Sequence, residues 1–228
     1  MNHYDTLTYG LGYANLNNRV LKSGAVHSKE AVMNTLHRSL ILMLCLLVSL
    51  PAMAAETDDE KELGFWIEVQ ALSSKQPARA IVWFERDVTE QFGFFAFLWK
   101  ESDGYREIIA GPTWKPFDGL QLGVGVGREA MPEEGRGARR MFFMEANRGG
   151  FNLYAAFEGG RVSGPWKKVT AMYAVTERVG FGLMEETGLG LGPRVEYNIK
   201  KNVQFQGALP RNPTTKETTA VFAINFSF

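Results

Sequence analysis

The sequence is poor in the residues most used for catalysis and cross-linking. It has one cysteine, Cys45, and three histidines, His3, His27 and His37, all within the first 45 residues. Beyond that point no thiol is available for a disulfide or a metal, and no imidazole for general base work. Neither charge sign is in excess, with 25 basic and 25 acidic side chains in 228 residues, so nothing in the balance points to nucleic acid as a partner. No apolar run reaches the roughly 20 residues of a membrane-spanning helix.

The longest such run, Leu40 to Leu50, has a different character. Met33 opens the stretch, Arg38 supplies a positive flank, and Ala52-Met53-Ala54 supplies a small-x-small cleavage site before acidic residues. That layout is a secretory signal peptide over 33–54. Residues 1–32 precede it without any hydrophobic period and read as an upstream extension, with Met33 the expected translation start. Residues 55–63 read as a short periplasmic segment, and 64–228 as the folded domain. All 16 phenylalanines lie at Phe65 or later.

The folded portion alternates. Phe65, Ile67, Val69 and Ala71 oppose Trp66, Glu68 and Gln70; Leu120, Leu122, Val124 and Val126 oppose Gln121, Gly123, Gly125 and Gly127. At the end, Phe222, Ile224, Phe226 and Phe228 share one parity and Ala223, Asn225 and Ser227 the other. Successive strand side chains point to opposite faces, so each run has one greasy face and one small or polar face. Turn clusters such as Ser102-Asp103-Gly104, Asn147-Arg148-Gly149-Gly150 and Lys200-Lys201-Asn202 divide the chain into twelve expected strands, ten being the alternative. They fall near 64–73, 78–87, 92–101, 105–115, 119–129, 139–148, 151–159, 165–175, 179–187, 189–199, 202–210 and 217–228. Strands this dense are foreign to soluble domains, but are required of a closed antiparallel up-and-down transmembrane barrel. With an even count both ends lie in the periplasm. The longest connection, 130–138, is then external, and those at 88–91, 148–150 and 200–201 are internal and short.

On this alternation and the terminal pattern Phe222-x-Ile224-x-Phe226-x-Phe228, the chain resembles the bacterial outer-membrane β-barrel class, porin-like in size. The resemblance implies that the aromatic last strand is read by the barrel-assembly machinery. Trp99, Tyr105 and Trp166 near one rim, and Trp114, Tyr197 and Phe228 near the other, are expected to form interfacial aromatic belts.

Parity places Glu68, Arg79, Glu85, Lys100, Lys115, Glu145, Glu158, Lys168, Arg194, Glu196 and Lys200 toward the lumen. There they form either an ion-paired network filling a narrow barrel or the mixed-charge lining of a conduit. Gly123-x-Gly125-x-Gly127 and Gly188-x-Gly190-x-Gly192 recur within strands, unlike a phosphate-binding loop before a helix. They read as a side-chain-free lumen wall with room for Trp66, Tyr154 or a solute. Glu145 and Glu158, on adjacent strands, are the only paired carboxylates singled out, and balancing charge is their expected role rather than catalysis.

These readings converge on a non-enzymatic outer-membrane barrel without cofactor or metal, acting as a porin-like channel for passive diffusion of small polar solutes. Its other expected partners are outer-membrane lipid, lipopolysaccharide and the assembly machinery. The alternative is a non-conducting structural or surface-interaction barrel working through its external loops. The chief of these is Glu133 to Arg140, whose Arg136, Arg139 and Arg140 suit lipopolysaccharide phosphates. A soluble lipocalin-like barrel would show fewer strands and aromatics turned inward.

Overall fold

A computed structural model of the protein describes residues 63–73 and 76–228. The upstream extension, the signal peptide and all but the last residue of the 55–63 segment lie outside the described residues. The rest is twelve antiparallel strands. They are β1 (Leu63–Leu72), β2 (Arg79–Asp87), β3 (Phe92–Glu101), β4 (Arg106–Phe117), β5 (Leu120–Met131) and β6 (Gly135–Arg148) in the first half. The second half holds β7 (Phe151–Gly160), β8 (Pro165–Ala174), β9 (Val179–Glu186), β10 (Gly190–Lys200), β11 (Val203–Ala208) and β12 (Val221–Ser227).

Each strand pairs with its sequence neighbours, and β1 pairs with β12, so the sheet is a closed barrel without an edge. The seam runs through Ile67↔Phe226 and Val69↔Ile224. It is carried to the last residue by the Phe228 N–H, which donates to the Phe65 carbonyl at 2.9 Å, and by their rings, 5.6 Å apart.

The greasy parity faces outward. Val126 is 74% exposed, and Ile108, Phe181, Leu183, Phe222 and Ile224 are also exposed, whereas Phe95 and Ile109, which point inward on their strands, are fully buried. A continuous apolar outer surface on an edgeless sheet is what hydrocarbon demands, and water would penalise it. We call the rim where β1 begins and β12 ends the terminal rim, and the opposite one the far rim. Connections at the terminal rim are short, at 88–91, 118–119, 149–150, 175–178 and 201–202.

Two connections differ from expectation. The 130–138 loop is a turn of three residues, 132–134, because pairing continues to Met131↔Gly135 and Gly135 takes φ +86° at the corner. Charge made 135–138 resemble a loop, yet its side chains alternate in and out as on any strand. The longest connection among the described residues is instead 209–220. Pro210 and Pro213 lack the N–H a regular ladder needs, and the segment folds back on β10 through a bridge at Leu191↔Arg211 and on itself through one at Arg211↔Thr218.

Candidate functional site

The interior is not uniform around the barrel. On the side built by β2–β4, β6 and β7, inward positions carry Trp83, Phe95, Phe97, Trp99, Tyr105 and Phe143, packed into one buried cluster. Trp83 stacks on Phe95 at 5.0 Å, and the Phe143 ring meets both edge-on at 5.0 Å. The glycines of β5 make this possible. A Cβ on Gly123 would overlap the Phe143 ring, and one on Gly125 would sit 2.7 Å from both Phe95 and Ile109. These glycines do face inward, but their space is taken by neighbouring rings rather than left for solute. Trp99 and Tyr105 are buried in this cluster and Trp166 packs on it, so the three belong to the interior and not to an interfacial belt. The membrane can be met by Trp114, Tyr197 and Phe228, which are exposed. Inward aromatics thus occur in a barrel of twelve strands whose outer face is apolar.

The far half is filled. Arg139, on β6, is held by three carboxylates from three strands: Glu107 at 2.9 Å, Glu158 at 2.7 Å and Glu129 at 3.3 Å. Tyr105 donates to Glu107. The turn 161–164 bends onto the same cluster. The Val162 N–H donates to Glu129 at 2.7 Å, and Arg139 donates to the Gly164 carbonyl at 2.9 Å. Beside it Arg79 bridges Glu101 at 3.1 Å and Glu186. Toward β9–β12 the charges give way to Met184, Leu189, Ala208 and Val221, with Leu72 against them. Glu129 and Glu186 are 1% and 2% exposed. At the terminal rim, by contrast, the side chains of Asp87 and Lys115 are 38% and 33% exposed.

Between the filled half and the terminal rim lies a cavity of about 810 Å³. One wall is aromatic, with Trp66, Trp83, Phe97, Trp99, Tyr154 and Trp166. The other is a ladder of polar groups on β10–β12. Arg194 donates to Glu196 at 3.0 Å and to Gln206, Gln206 to Gln204 at 2.7 Å, and Gln204 to Asn198 at 3.0 Å. Gly64, Asp87, Lys201 and Ser227 line the cavity at the terminal rim, where it opens. A second void of only about 10 Å³ shares Lys168, Arg194 and Gln206 with the cavity and is lined further by Gln70, Met184, Ala208, Val221 and Ala223.

Of the residues expected in the lumen, Glu68, Glu85, Lys115, Glu145, Glu158, Lys168, Arg194 and Glu196 line this cavity. Arg79 faces inward but is buried beyond it, in the far half. Lys200 is exposed at the end of β10. Lys100 is a correction: it is exposed on the outer face, because β3 turns Phe95, Phe97 and Trp99 inward. It lies in the last turn-ward residues of its strand, where a lysine can reach the interface. Arg139, expected in an external loop, is a second correction, since it is buried in the lumen. Glu145 and Glu158 do not form a pair. Glu145 lies opposite Tyr154 and accepts from Asn147 and Asn152, while Glu158 lies opposite Met141 and binds Arg139. Sequence reasoning missed Glu101, Glu107, Glu129 and Glu186. Glu107 shares its parity with Lys115, and Glu129 shares its parity with Gly125 and Gly127, so both were within reach of the same rule.

Together these features define a porin-like barrel: twelve antiparallel strands, apolar outside and charged within. Solved structures agree. The chain is similar to the KdgM porin, described in complex with disordered oligogalacturonate, with a TM-score of 0.52 and 11% identity over 72% of this chain and 99% of that one. A structure from work on in-meso crystallization of membrane proteins gives a TM-score of 0.56 and 14% identity over 73% and 83%. At such identities the likeness is one of fold. No family model and no curated protein matches the sequence.

Proposed function

We propose that the protein is an outer-membrane channel for small polar solutes, exported by the 33–54 signal peptide and inserted with the terminal rim toward the periplasm. The observation that carries this reading is the charged, solvent-open cavity inside a barrel whose outer face is hydrocarbon-compatible. A protein with only a structural role in the membrane has no need of an 810 Å³ polar chamber. The β12 face of Phe222, Ile224, Phe226 and Phe228 would engage the barrel-assembly machinery. Lipid would meet the apolar girdle, and Arg136 and Arg140, on the outward parity near the far rim, would meet lipopolysaccharide phosphates.

Flow must pass the filled far half, so conduction requires that side chains there move aside. Purified protein inserted repeatedly in planar bilayers tests the proposal. Discrete conductance steps are expected. Their complete absence, with the barrel shown folded by its faster gel migration before boiling, would reject the channel. It would favour instead the reading that the packed far half also suits, a non-conducting barrel working at its rim.

A further inference from the structure

The cavity has a chemical preference beyond polarity. Six carboxylates line it (Glu68, Glu85, Asp87, Glu145, Glu158 and Glu196), against four basic groups (Lys115, Lys168, Arg194 and Lys201). Three of those bases are already engaged. Lys115 meets Asp87 at 2.7 Å, Arg194 meets Glu196 at 2.8 Å, and Lys168 lies 3.8 Å from Glu68 and 4.0 Å from Glu186. Lys201 sits exposed at the rim. Among the described residues Glu145 is held by neutral amides, with Asn147 and Asn152 each donating at 3.0 Å. Behind the cavity floor the imbalance grows, because only Arg139 and Arg79 stand among four further carboxylates, Glu107, Glu129, Glu101 and Glu186. A chamber walled by low-dielectric protein focuses such a surplus into its interior.

The aromatic wall stands in this field. Trp66, half-buried and lining the cavity, stacks one face on Trp83 with centroids 6.1 Å apart and planes 10° from parallel. Tyr154 lies opposite Glu145 in the β6–β7 register and lines the cavity with Glu145 and Glu68. The protein already places one cation on an indole here: the Arg79 guanidinium lies 5.1 Å from the Trp99 ring centroid. Carboxylates supply the charge and aromatic faces a surface that attracts cations without binding water tightly, the combination that recognises organic ammonium groups.

We infer that the cavity selects organic cations, an amine or guanidinium carried on a flat or aliphatic body, over neutral and anionic solutes of the same size. The site is Trp66 and Tyr154 with Glu145 and Glu68. As a statement about what passes the membrane, this rests on the channel reading. As a statement about binding, it does not.

The test therefore has two arms. In the first, full-length protein folded in detergent is titrated with phenethylammonium, 2-phenylethanol and phenylacetate, and intrinsic tryptophan fluorescence is followed. A saturable change with the ammonium is expected, with at least about tenfold weaker responses to the two matched compounds. Glu145→Gln should weaken the ammonium response about three- to tenfold while leaving the response to 2-phenylethanol in place. Equal binding of all three, or tighter binding of phenylacetate, overturns the inference, as does an unchanged response in folded Glu145→Gln. In the second arm, conductance is measured in a bilayer under a potassium chloride gradient. A reversal potential of the cation-selective sign is expected, and an anion-selective sign overturns the inference. Absence of conductance with cation-selective binding intact would reject the channel and leave the binding site standing.

Discussion

Arg139 offers the sharpest test of how the barrel is held shut. Its side chain is 3% exposed, and its guanidinium is the common partner of Glu107, Glu129 and Glu158 at 2.7–3.3 Å. Arg139→Met keeps the unbranched apolar stem but strands three carboxylates in a space that excludes water. Removing one partner of a single buried ion pair costs roughly 3–5 kcal/mol, because the remaining charge is left uncompensated. Here one substitution leaves three, so the loss should fall at the top of that range. Glu129→Gln, which leaves Arg139 two carboxylates and keeps an acceptor for the Val162 N–H, should cost only about 1–3 kcal/mol. The assay is reversible urea unfolding of the barrel in lipid vesicles, followed by tryptophan fluorescence. Trp99 and Trp166, 5.1 Å apart beside this cluster, give a local signal. A loss below about 1 kcal/mol for Arg139→Met, the range of an exposed pair, would show that water reaches the cluster and that the far half is not sealed.

Other expectations are more local. Gly123→Val places a branched side chain inside the Phe143 ring and should destabilise the barrel by about 1–3 kcal/mol or more, read in the same unfolding assay, whereas Gly159→Val should be far milder because a Cβ there meets only the Arg140 side chain, at 3.9 Å. Deleting Phe228 removes the hydrogen bond to Phe65 and one outward ring at the seam, and should lower the yield of heat-modifiable barrel in outer-membrane fractions. Lys100→Glu, on the outer face, should leave the reversal potential unchanged. Lys115→Glu, in the cavity, should shift it toward cations.

Much of this architecture is legible in the sequence, and the reason is the surroundings. Hydrocarbon outside a barrel imposes a strict period of two, so strand after strand announces its outward face. The rule fails where the interior is apolar as well. In β3, Phe92, Phe94 and Leu98 alternate with Phe95, Phe97 and Trp99, and hydropathy cannot say which set looks inward. Lys100 was misplaced for that reason. In β6 the opposite failure occurs. Gly135-Arg136-Gly137-Ala138-Arg139-Arg140 is too charged to look like a strand, though its alternation is intact once pairing with β5 is seen. The aromatic cluster was hidden because Phe143, on β6, meets Trp83 and Phe95, on β2 and β3, although β6 pairs with neither strand. Gly123 and Gly125 are the trace it leaves in the sequence, since a strand gives up its side chains where rings from elsewhere need the room.

If the barrel conducts, the route through its far half can be argued from what would have to move. On the β2–β7 side, opening separates Arg139 from three carboxylates and lifts the 161–164 turn that they hold. On the β9–β12 side, the small void at Lys168 and Arg194 is also lined by Met184, Ala208 and Val221, which pack with Leu189, and segment 209–220 follows β11 at that rim. That segment rests on scattered bonds: Leu209 to Pro193 at 3.0 Å, Arg211 to Leu191 at 2.9 Å and Asn212 to Gly188 at 2.8 Å. Displacing aliphatic groups breaks no ion pair, and apolar constrictions pass ions once wetted. Leu189→Ser and Met184→Ala should therefore raise single-channel conductance, Leu189→Ser the more because it also lets water enter the plug. Glu129→Gln should change conductance little. A large conductance increase from Glu129→Gln, with none from Leu189→Ser, would place the route through the ion cluster instead.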